Sequence, residues 1–152
     1  MNLRDKTVLV TGGSKGIGRA IVESMAKEGA NVIISYNSDE SAANEIAKEA
    51  TRYSVKALIV KADITKQDEV DSMFNKIKDN FSRIDILVNN AGTFSEVDNP
   101  ENIVVFEDIF NTNFLGQVRV TNATINLMGK GKIIFISSVH GRLGNGRPSA
   151  IA

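Results

Sequence analysis

A glycine-rich segment follows the first apolar run of the chain, with the sequence Thr11-Gly12-Gly13-Ser14-Lys15-Gly16-Ile17-Gly18. Glycines at these spacings permit a tight turn and let the backbone approach a ligand closely. The helix predicted to begin there presents unpaired N–H groups and the positive end of its dipole, which together suit a pyrophosphate. A purely structural turn would have the same composition, so this segment alone leaves nucleotide binding and a structural role both open.

Further polar segments stand where other strands are predicted to end. Asn89-Asn90-Ala91-Gly92 follows one apolar run, Ser137-Ser138 closes another, and Asp63 with Ile64 follows a third. The carboxyl ends of parallel strands share one edge of a sheet, and ligands bind there where the strand order reverses. We therefore expect Gly12, Gly16, Asn90 and Ser138 to lie along one crevice.

Alternating strands and helices must position these groups. Apolar, β-branched runs predict buried strands over Thr7–Thr11, Asn31–Tyr36, Val55–Lys61, Ile84–Asn89 and Lys132–Ser138. Strict alternation with helices predicts a parallel sheet with helices on both faces. We expect an α/β, doubly wound sheet of Rossmann type with strand order 3-2-1-4-5, and one domain over residues 1–152.

Helical periodicity separates these strands. A helix is predicted from about Gly16 to Lys27, and apolar residues recur at helical spacing over 43–50 and 70–81. A fourth helix, after Pro100, is expected to turn Phe106, Ile109, Phe110 and Phe114 towards the core. Asn113 lies on that stripe, where a buried amide without partners would cost roughly 1–3 kcal/mol. Some group must therefore satisfy it.

Three motifs in register, Thr11-Gly12-x3-Gly16-x-Gly18, Asn89-Asn90-Ala91-Gly92 and Ser137-Ser138, resemble the short-chain dehydrogenase/reductase family along the whole chain. Within that family the chain resembles bacterial β-ketoacyl-(acyl-carrier-protein) reductases. The resemblance implies an oxidoreductase that moves a hydride between a nicotinamide cofactor and a carbonyl or alcohol, such as a 3-oxoacyl thioester. It predicts these cofactor-binding residues: Gly12, Ser14, Lys15, Gly16, Ile17, Gly18, Tyr36, Asn37, Ser38, Asp63, Ile64, Asn90, Ala91 and Gly92.

Individual roles follow from the same resemblance. The Asn-Asn-Ala-Gly turn would steady the sheet and pass beneath the adenosine and ribose, although Asn and Gly also suit a plain turn. Asp63 would accept a hydrogen bond from the adenine amino group, with Ile64 beside the base; a solvated turn aspartate is the alternative. Ser138, rather than Ser137, would hydrogen-bond the substrate carbonyl, and Asn113 in Asn-x-x-Gly would bend its helix and hold a water in the proton relay.

The end of the second strand bears on the choice of cofactor. An acidic side chain there binds the ribose 2′-hydroxyl and repels a 2′-phosphate, whereas this chain has Tyr36-Asn37-Ser38. With Lys15 as a nearby cation, NADP is favoured over NAD. In the opposing interpretation Lys15 is solvated and Asp39 serves NAD.

A family reductase also requires a proton-donating tyrosine with a lysine four residues later. The sequence has no Tyr-x-x-x-Lys, and Lys132–Ser138 is predicted to form an uncovered apolar edge of the sheet. We therefore expect the chain to be the front part of a longer enzyme, with further strands beyond its C-terminus, and to be inactive alone. A non-catalytic NADP-binding sensor or scaffold and a methyltransferase are the alternatives.

The amino-acid composition excludes several classes of binding partner. Lysine plus arginine equals aspartate plus glutamate at 18 each, so no net basic charge attracts nucleic acid or a membrane. The absence of cysteine excludes disulfides and thiolate catalysis, and a single histidine, His140, makes a metal site implausible; we expect His140 to be a loop residue only. Without a signal-peptide or membrane-spanning pattern, we expect a cytoplasmic protein that forms a homo-oligomer in its full-length form.

Overall fold

The computed structural model describes residues 3–94 and 103–139. Within these ranges five parallel strands form one sheet in the order β3-β2-β1-β4-β5. The strands are β1 (Thr7–Val10), β2 (Asn31–Tyr36), β3 (Ala57–Lys61), β4 (Ile86–Asn89) and β5 (Lys132–Phe135). The predicted fold class and strand order are confirmed.

Helices cover both faces of the sheet. They are α1 (Gly16–Lys27), α2 (Glu40–Thr51), α3 (Gln67–Asn80), α4 (Ile103–Phe110), a π-helical segment (Asn111–Gly116) and α5 (Gln117–Ile125). Because side chains alternate along a strand, Val8 and Val10 of β1 join one core with α1 and α2. Leu9 joins a second core with α3 and α5 on the other face.

The strands are shorter than the apolar runs that predicted them, although some hydrogen bonds continue past their ends. Thr11 N donates to Val88 O at 3.1 Å beyond β1, and Ile136 N donates to Asn89 O at 2.9 Å beyond β5. Ile84 precedes β4 and its N–H donates to Leu127 O at 3.1 Å. The sequence predicts the position of each strand but not the residue at which its pairing ends.

The prediction that Phe106, Phe110 and Phe114 face the core is wrong. Their exposed fractions are 54%, 46% and 55%, whereas Ile109 is 3% exposed. Spacing of four residues places the three rings on one stripe, and Ile109 lies about 100° round the helix from Phe110. Phe110 and Phe114 stack on each other, with ring centroids 5.1 Å apart. The helix therefore has two apolar stripes, of which only the one containing Ile109 is buried.

The amino ends of β1 and β4 are joined by the buried carboxylate of Asp85. Its Oδ2 accepts a hydrogen bond from Thr7 N at 2.9 Å, and its Oδ1 lies 3.4 Å from Lys6 Nζ and also pairs with Arg83. Burial raises the pKa of Asp85, but the hydrogen bonds from Arg83, Thr7 and Lys6 outweigh burial and hold it below the usual 3.8. Asp85 is therefore ionised at neutral pH and links the two central strands.

β5 is one of the two edge strands of the described sheet. Ile134 and Phe135 on it are exposed, in agreement with the predicted apolar edge. No helix in residues 3–94 or 103–139 has the length and apolar character needed to cross a membrane.

Candidate functional site

A crevice of about 740 Å³ opens at the carboxyl ends of β1 to β4, within the size range of roughly 300–1,000 Å³ that is usual for ligand sites. It lies where the strand order reverses between β1 and β4, the position at which such sheets bind nucleotides. Its walls come from Gly12, Ser14, Lys15, residues 35–39, 62–65 and 90–93, and from Asp108, Asn111 and Thr112 on the α4 side.

Most of the predicted cofactor residues line this crevice. They are Gly12, Ser14, Lys15, Tyr36, Asn37, Ser38, Asp63, Ile64, Asn90, Ala91 and Gly92. Gly16, Ile17 and Gly18 are instead in the first turn of α1, outside the lining. Asn113 and Ser138 do not line it either. The structure thus brings the three turns after β1, β3 and β4 together, while Ser138 follows β5 at the same edge of the sheet.

The glycines of the first turn meet different requirements. Gly12 and Gly16 have φ values of +62° and +56°, in the left-handed region that glycine adopts at little cost. Gly18 has no such constraint, but a Cβ there would lie 2.2 Å from Gly12 O and 2.5 Å from Asn90 Nδ2. The first two positions therefore serve the backbone conformation, and Gly18 serves the close packing of α1 on the turn.

Hydrogen bonds join the glycine turn to the turn after β4. Asn90 Nδ2 donates to Thr11 O at 2.9 Å and to Gly12 O at 3.1 Å. In return Thr11 Oγ1 accepts from the N–H groups of Asn90 and Ala91, each at 3.0 Å. Thr11 is fully buried and was not in the predicted set of cofactor residues. Its hydroxyl orders two turns that both line the crevice.

A cation and a carboxylate both lie at the β2 end of the crevice, where Lys15 and Asp39 form part of the lining. Asp39 caps α2, because its Oδ1 accepts a hydrogen bond from Ala42 N at 2.9 Å. Tyr36 is buried, and burial followed by the charge of Glu40 raises its pKa, so that its hydroxyl is neutral at physiological pH. Residues 36–38 bring no carboxylate to the crevice, whereas Asp39, the residue that the opposing interpretation assigns to NAD, does line it.

Asp63 is held as an ionised acceptor. Burial raises its pKa, but hydrogen bonds from Thr65 and the charge of Lys66 outweigh that effect and keep the pKa below the usual 3.8. Thr65 donates to Asp63 Oδ1 through its backbone N at 3.0 Å and its hydroxyl at 2.7 Å, and Lys66 Nζ lies 3.6 Å from Oδ2. A partly exposed carboxylate in this state can accept a hydrogen bond from a ligand amine.

The side chain of Asn113 binds the backbone that follows Gly92. Asn113 Oδ1 accepts from Thr93 N at 2.7 Å, and its Nδ2 donates to Thr93 O at 2.8 Å. The partner that the sequence required is therefore the backbone of Thr93, and the amide is half-buried rather than directed into the core. Asn113 lies in the π-helical segment, a rare conformation that is frequent at functional sites. The sequence did not predict this segment, although Asn-x-x-Gly coincides with it.

Comparison with known protein families shows the family to which the chain belongs. The family model described as short chain dehydrogenase matches residues 6–150. The chain belongs to the short-chain dehydrogenase family. This confirms the resemblance drawn from the three motifs, which together span the matched region.

Individual relatives support this family membership. The hydroxynaphthalene reductase-like protein Arp2 of Metarhizium guizhouense is 40% identical over 142 residues, which are 91% of this chain and 52% of that protein. The L-rhamnose 1-dehydrogenase (NADP(+)) of Thermoplasma acidophilum is 36% identical over 95% of this chain and 59% of that protein. Among solved structures, L-sorbose reductase from Gluconobacter frateurii complexed with NADPH and L-sorbose has a TM-score of 0.90 at 29% identity, over 97% of this chain and 57% of that one. The chain thus spans little more than half of the length of these relatives.

The residues of this short-chain dehydrogenase fit a dinucleotide at the start of α1. The N-cap residue, Lys15, makes no side-chain hydrogen bond to the helix, and the first turn of α1 contains no acidic residue. The N–H groups and positive dipole end of α1 are therefore left for an anion at the crevice wall that Ser14 and Lys15 form. By contrast, α2 has its own carboxylate cap in Asp39.

Ser138, which the sequence predicts to contact the substrate, lies beyond the last described strand. Ser138 follows β5 and is exposed, and the hydrogen bond from Ile136 N to Asn89 O keeps the start of its segment beside β4. His140 and the residues after it are outside the described ranges. Within those ranges, no group of three or more histidine, aspartate or glutamate side chains could hold a metal ion.

Proposed function

We propose that this short-chain dehydrogenase binds NADP in the crevice and serves hydride transfer between the nicotinamide and a carbonyl or alcohol substrate. One observation carries the proposal: the turns after β1, β3 and β4 line one crevice at the reversal of strand order. The crevice supplies an uncapped helix N-terminus for the pyrophosphate and the ionised Asp63 for the adenine amino group. The cofactor supplies the hydride, and the protein supplies binding and orientation.

Features of the crevice and of the relatives support NADP over NAD. Residues 36–38 bring no carboxylate to the crevice, and Lys15 brings a cation. Asp39 does line the crevice, but one of its oxygens is engaged in capping α2. The name of one relative includes NADP(+), and the structure of another contains NADPH.

The proposed roles of this chain in the reaction are binding and polarisation. Ser138 would donate its hydroxyl hydrogen bond to the substrate oxygen, which stabilises negative charge as the carbonyl is reduced. Asn113 would support the proton relay by fixing Thr93 and the π-helical segment next to the crevice. The sequence contains no Tyr-x-x-x-Lys, so we assign the principal acid to none of its residues.

Substrate and assembly are proposed at the level of class. The substrate is a small molecule with a carbonyl or hydroxyl group; a 3-oxoacyl thioester stays a prediction, since the relatives named above act on other compounds. For the full-length protein we propose a homo-oligomer in the cytoplasm. The exposed stripe of Phe106, Phe110 and Phe114 supports an association of this kind.

Fluorescence titration with NADPH and NADH tests the cofactor proposal. The purified 152-residue chain should bind NADPH saturably at one site and more tightly than NADH. Gly129→Ala is a matched control, because a Cβ at Gly129 meets no atom within 4 Å and the residue is remote from the crevice lining. Tighter binding of NADH would contradict the NADP preference, and a folded chain that binds neither cofactor would contradict the proposed function.

A further inference from the structure

Gly116, the last residue of the π-helical segment, packs directly on Ile64. A Cβ built at Gly116 would lie 2.8 Å from both Cγ1 and Cδ1 of Ile64 and 3.2 Å from Asn111 O. Non-bonded carbon atoms at their best separation are about 3.5–4.0 Å apart. A side chain at position 116 would therefore require the outer atoms of Ile64 to move.

Two of the three residues at this contact line the crevice. Ile64 and Asn111 both line it, whereas Gly116 does not. On its protein side Ile64 belongs to the core formed with β3, α3 and α5, and it is only 5% exposed. Side chains in a close-packed core have little room to move. The carbonyl of Asn111 belongs to the helix backbone, so it cannot move by rotation of a side chain. A side chain at position 116 would thus push Ile64 in the one open direction, into the crevice.

We propose that Gly116 is a positioning residue for the adenine end of the cofactor site. By lacking a side chain, it lets Ile64 withdraw against the π-helical segment and keeps the crevice beside Asp63 open for the base. The inference rests on the proposed cofactor function, since Ile64 and Asp63 meet adenine only if a dinucleotide binds here. Gly116 acts through Ile64 and does not itself touch the ligand.

A double-mutant cycle with two ligands tests the role of Gly116. The variants are Gly116→Ala, Ile64→Ala and the combination, with Gly129→Ala as the control. The probes are NADPH and 2′,5′-ADP, which contains the adenosine half only. Gly116→Ala should raise the Kd of both probes by the same factor of about ten, equivalent to about 1.4 kcal/mol. A merely structural role would not predict equal losses for the whole cofactor and its adenosine half.

The combination identifies Ile64 as the mediator. Ile64→Ala removes both carbons that the new methyl would meet, so Gly116→Ala added to that background should change the Kd by less than about twofold. Circular dichroism should show each variant folded. If Gly116→Ala folds only in the Ile64→Ala background, that rescue supports the same clash.

Failure of this inference can be distinguished from failure of the proposed function. If the wild-type chain binds both probes and Gly116→Ala binds them equally well, the positioning role is wrong and the cofactor site stands. The role is also wrong if Gly116→Ala weakens binding, or prevents folding, to the same extent in both backgrounds. If the folded wild-type chain binds neither probe, the proposed function fails and the inference fails with it.

Discussion

Replacing Gly18 by alanine should disturb the contact between α1 and the two turns that form the crevice. The new Cβ would lie 2.2 Å from Gly12 O, 3.0 Å from Gly12 C and 2.5 Å from Asn90 Nδ2. Two of these atoms belong to the backbone, so no rotation of a side chain can relieve the contact. The glycine turn must move away from α1, and Asn90 must move with it.

The expected loss in the free energy of unfolding has two parts. Overpacking of this kind typically costs about 1–3 kcal/mol. Loss of the 3.1 Å hydrogen bond from Asn90 Nδ2 to Gly12 O adds about 1 kcal/mol. The free energy of unfolding should therefore fall by about 2–4 kcal/mol, which many domains survive. Because Gly12 lines the crevice, the Kd for NADPH should rise by more than about tenfold.

Urea denaturation and NADPH titration of the same preparation measure both effects. Gly16→Asn is a matched comparison for stability, because Gly16 has a positive φ but open space around it, and asparagine tolerates the left-handed region. Its stability should fall by less than about 1 kcal/mol. A Gly18→Ala variant with unchanged stability and unchanged NADPH affinity would refute the assignment of Gly18 to close packing.

Three further predictions address single contacts. Thr11→Val leaves the N–H groups of Asn90 and Ala91 without their acceptor and should lower the free energy of unfolding by about 2 kcal/mol in urea; Thr11→Ser, which keeps the hydroxyl, should lose less than half of that, and equal losses would contradict the role of the hydroxyl. In fluorescence titrations Lys15→Ala should weaken NADPH binding more than NADH binding, by about 1 kcal/mol, and equal losses would show that Lys15 does not bind the 2′-phosphate. The depressed pKa of Asp85 means that its stabilisation is present above its unfolded-state pKa of about 3.8 and is lost as pH falls through the lower folded-state value. In thermal melts the deficit of Asp85→Asn should therefore be largest at neutral pH and shrink in acid, and a deficit independent of pH would contradict this.

The central strands of the sheet could be predicted because they are buried on both faces. Such strands appear in the sequence as continuous β-branched runs, and β1 and β4 are fully buried over their whole lengths. The helix from Gly16 to Lys27 was also predicted with its observed bounds, because glycines stand at both of its ends. The alternation of elements indicated a doubly wound sheet; the order 3-2-1-4-5 was assumed for that fold, and the structure has this order.

The α4 region was predicted less well, for a physical reason. Periodicity shows that a helix has an apolar stripe but not what covers that stripe. Phe106 and Phe110 follow helical spacing as well as Ile109 does, yet only Ile109 is buried. The π-helical segment had no separate signal in composition, and the partner of Asn113 was a backbone group, Thr93, which no side-chain pattern can reveal.

Within the candidate site, residue types were easier to predict than the contacts between them. Of the four residues expected along one crevice, Gly12 and Asn90 line it, whereas Gly16 and Ser138 do not. The sequence did not show that Asp39 caps α2 while also lining the crevice. Nor did it show that Gly16 is required for its positive φ whereas Gly18 is required for close packing. Those distinctions depend on distances between segments far apart in sequence.

An NMR titration of the ¹⁵N-labelled chain with NADPH tests the central claim most directly. If the three turns form one cofactor site, the amide resonances of Gly12, Ser14, Asp63 and Asn90 should shift together and saturate with a single Kd. The amides of Lys6 and Asp85, at the opposite ends of the strands, should stay unchanged. Shifts confined to the amino ends of the strands, or no saturable shift at all in the folded chain, would contradict the proposed cofactor site.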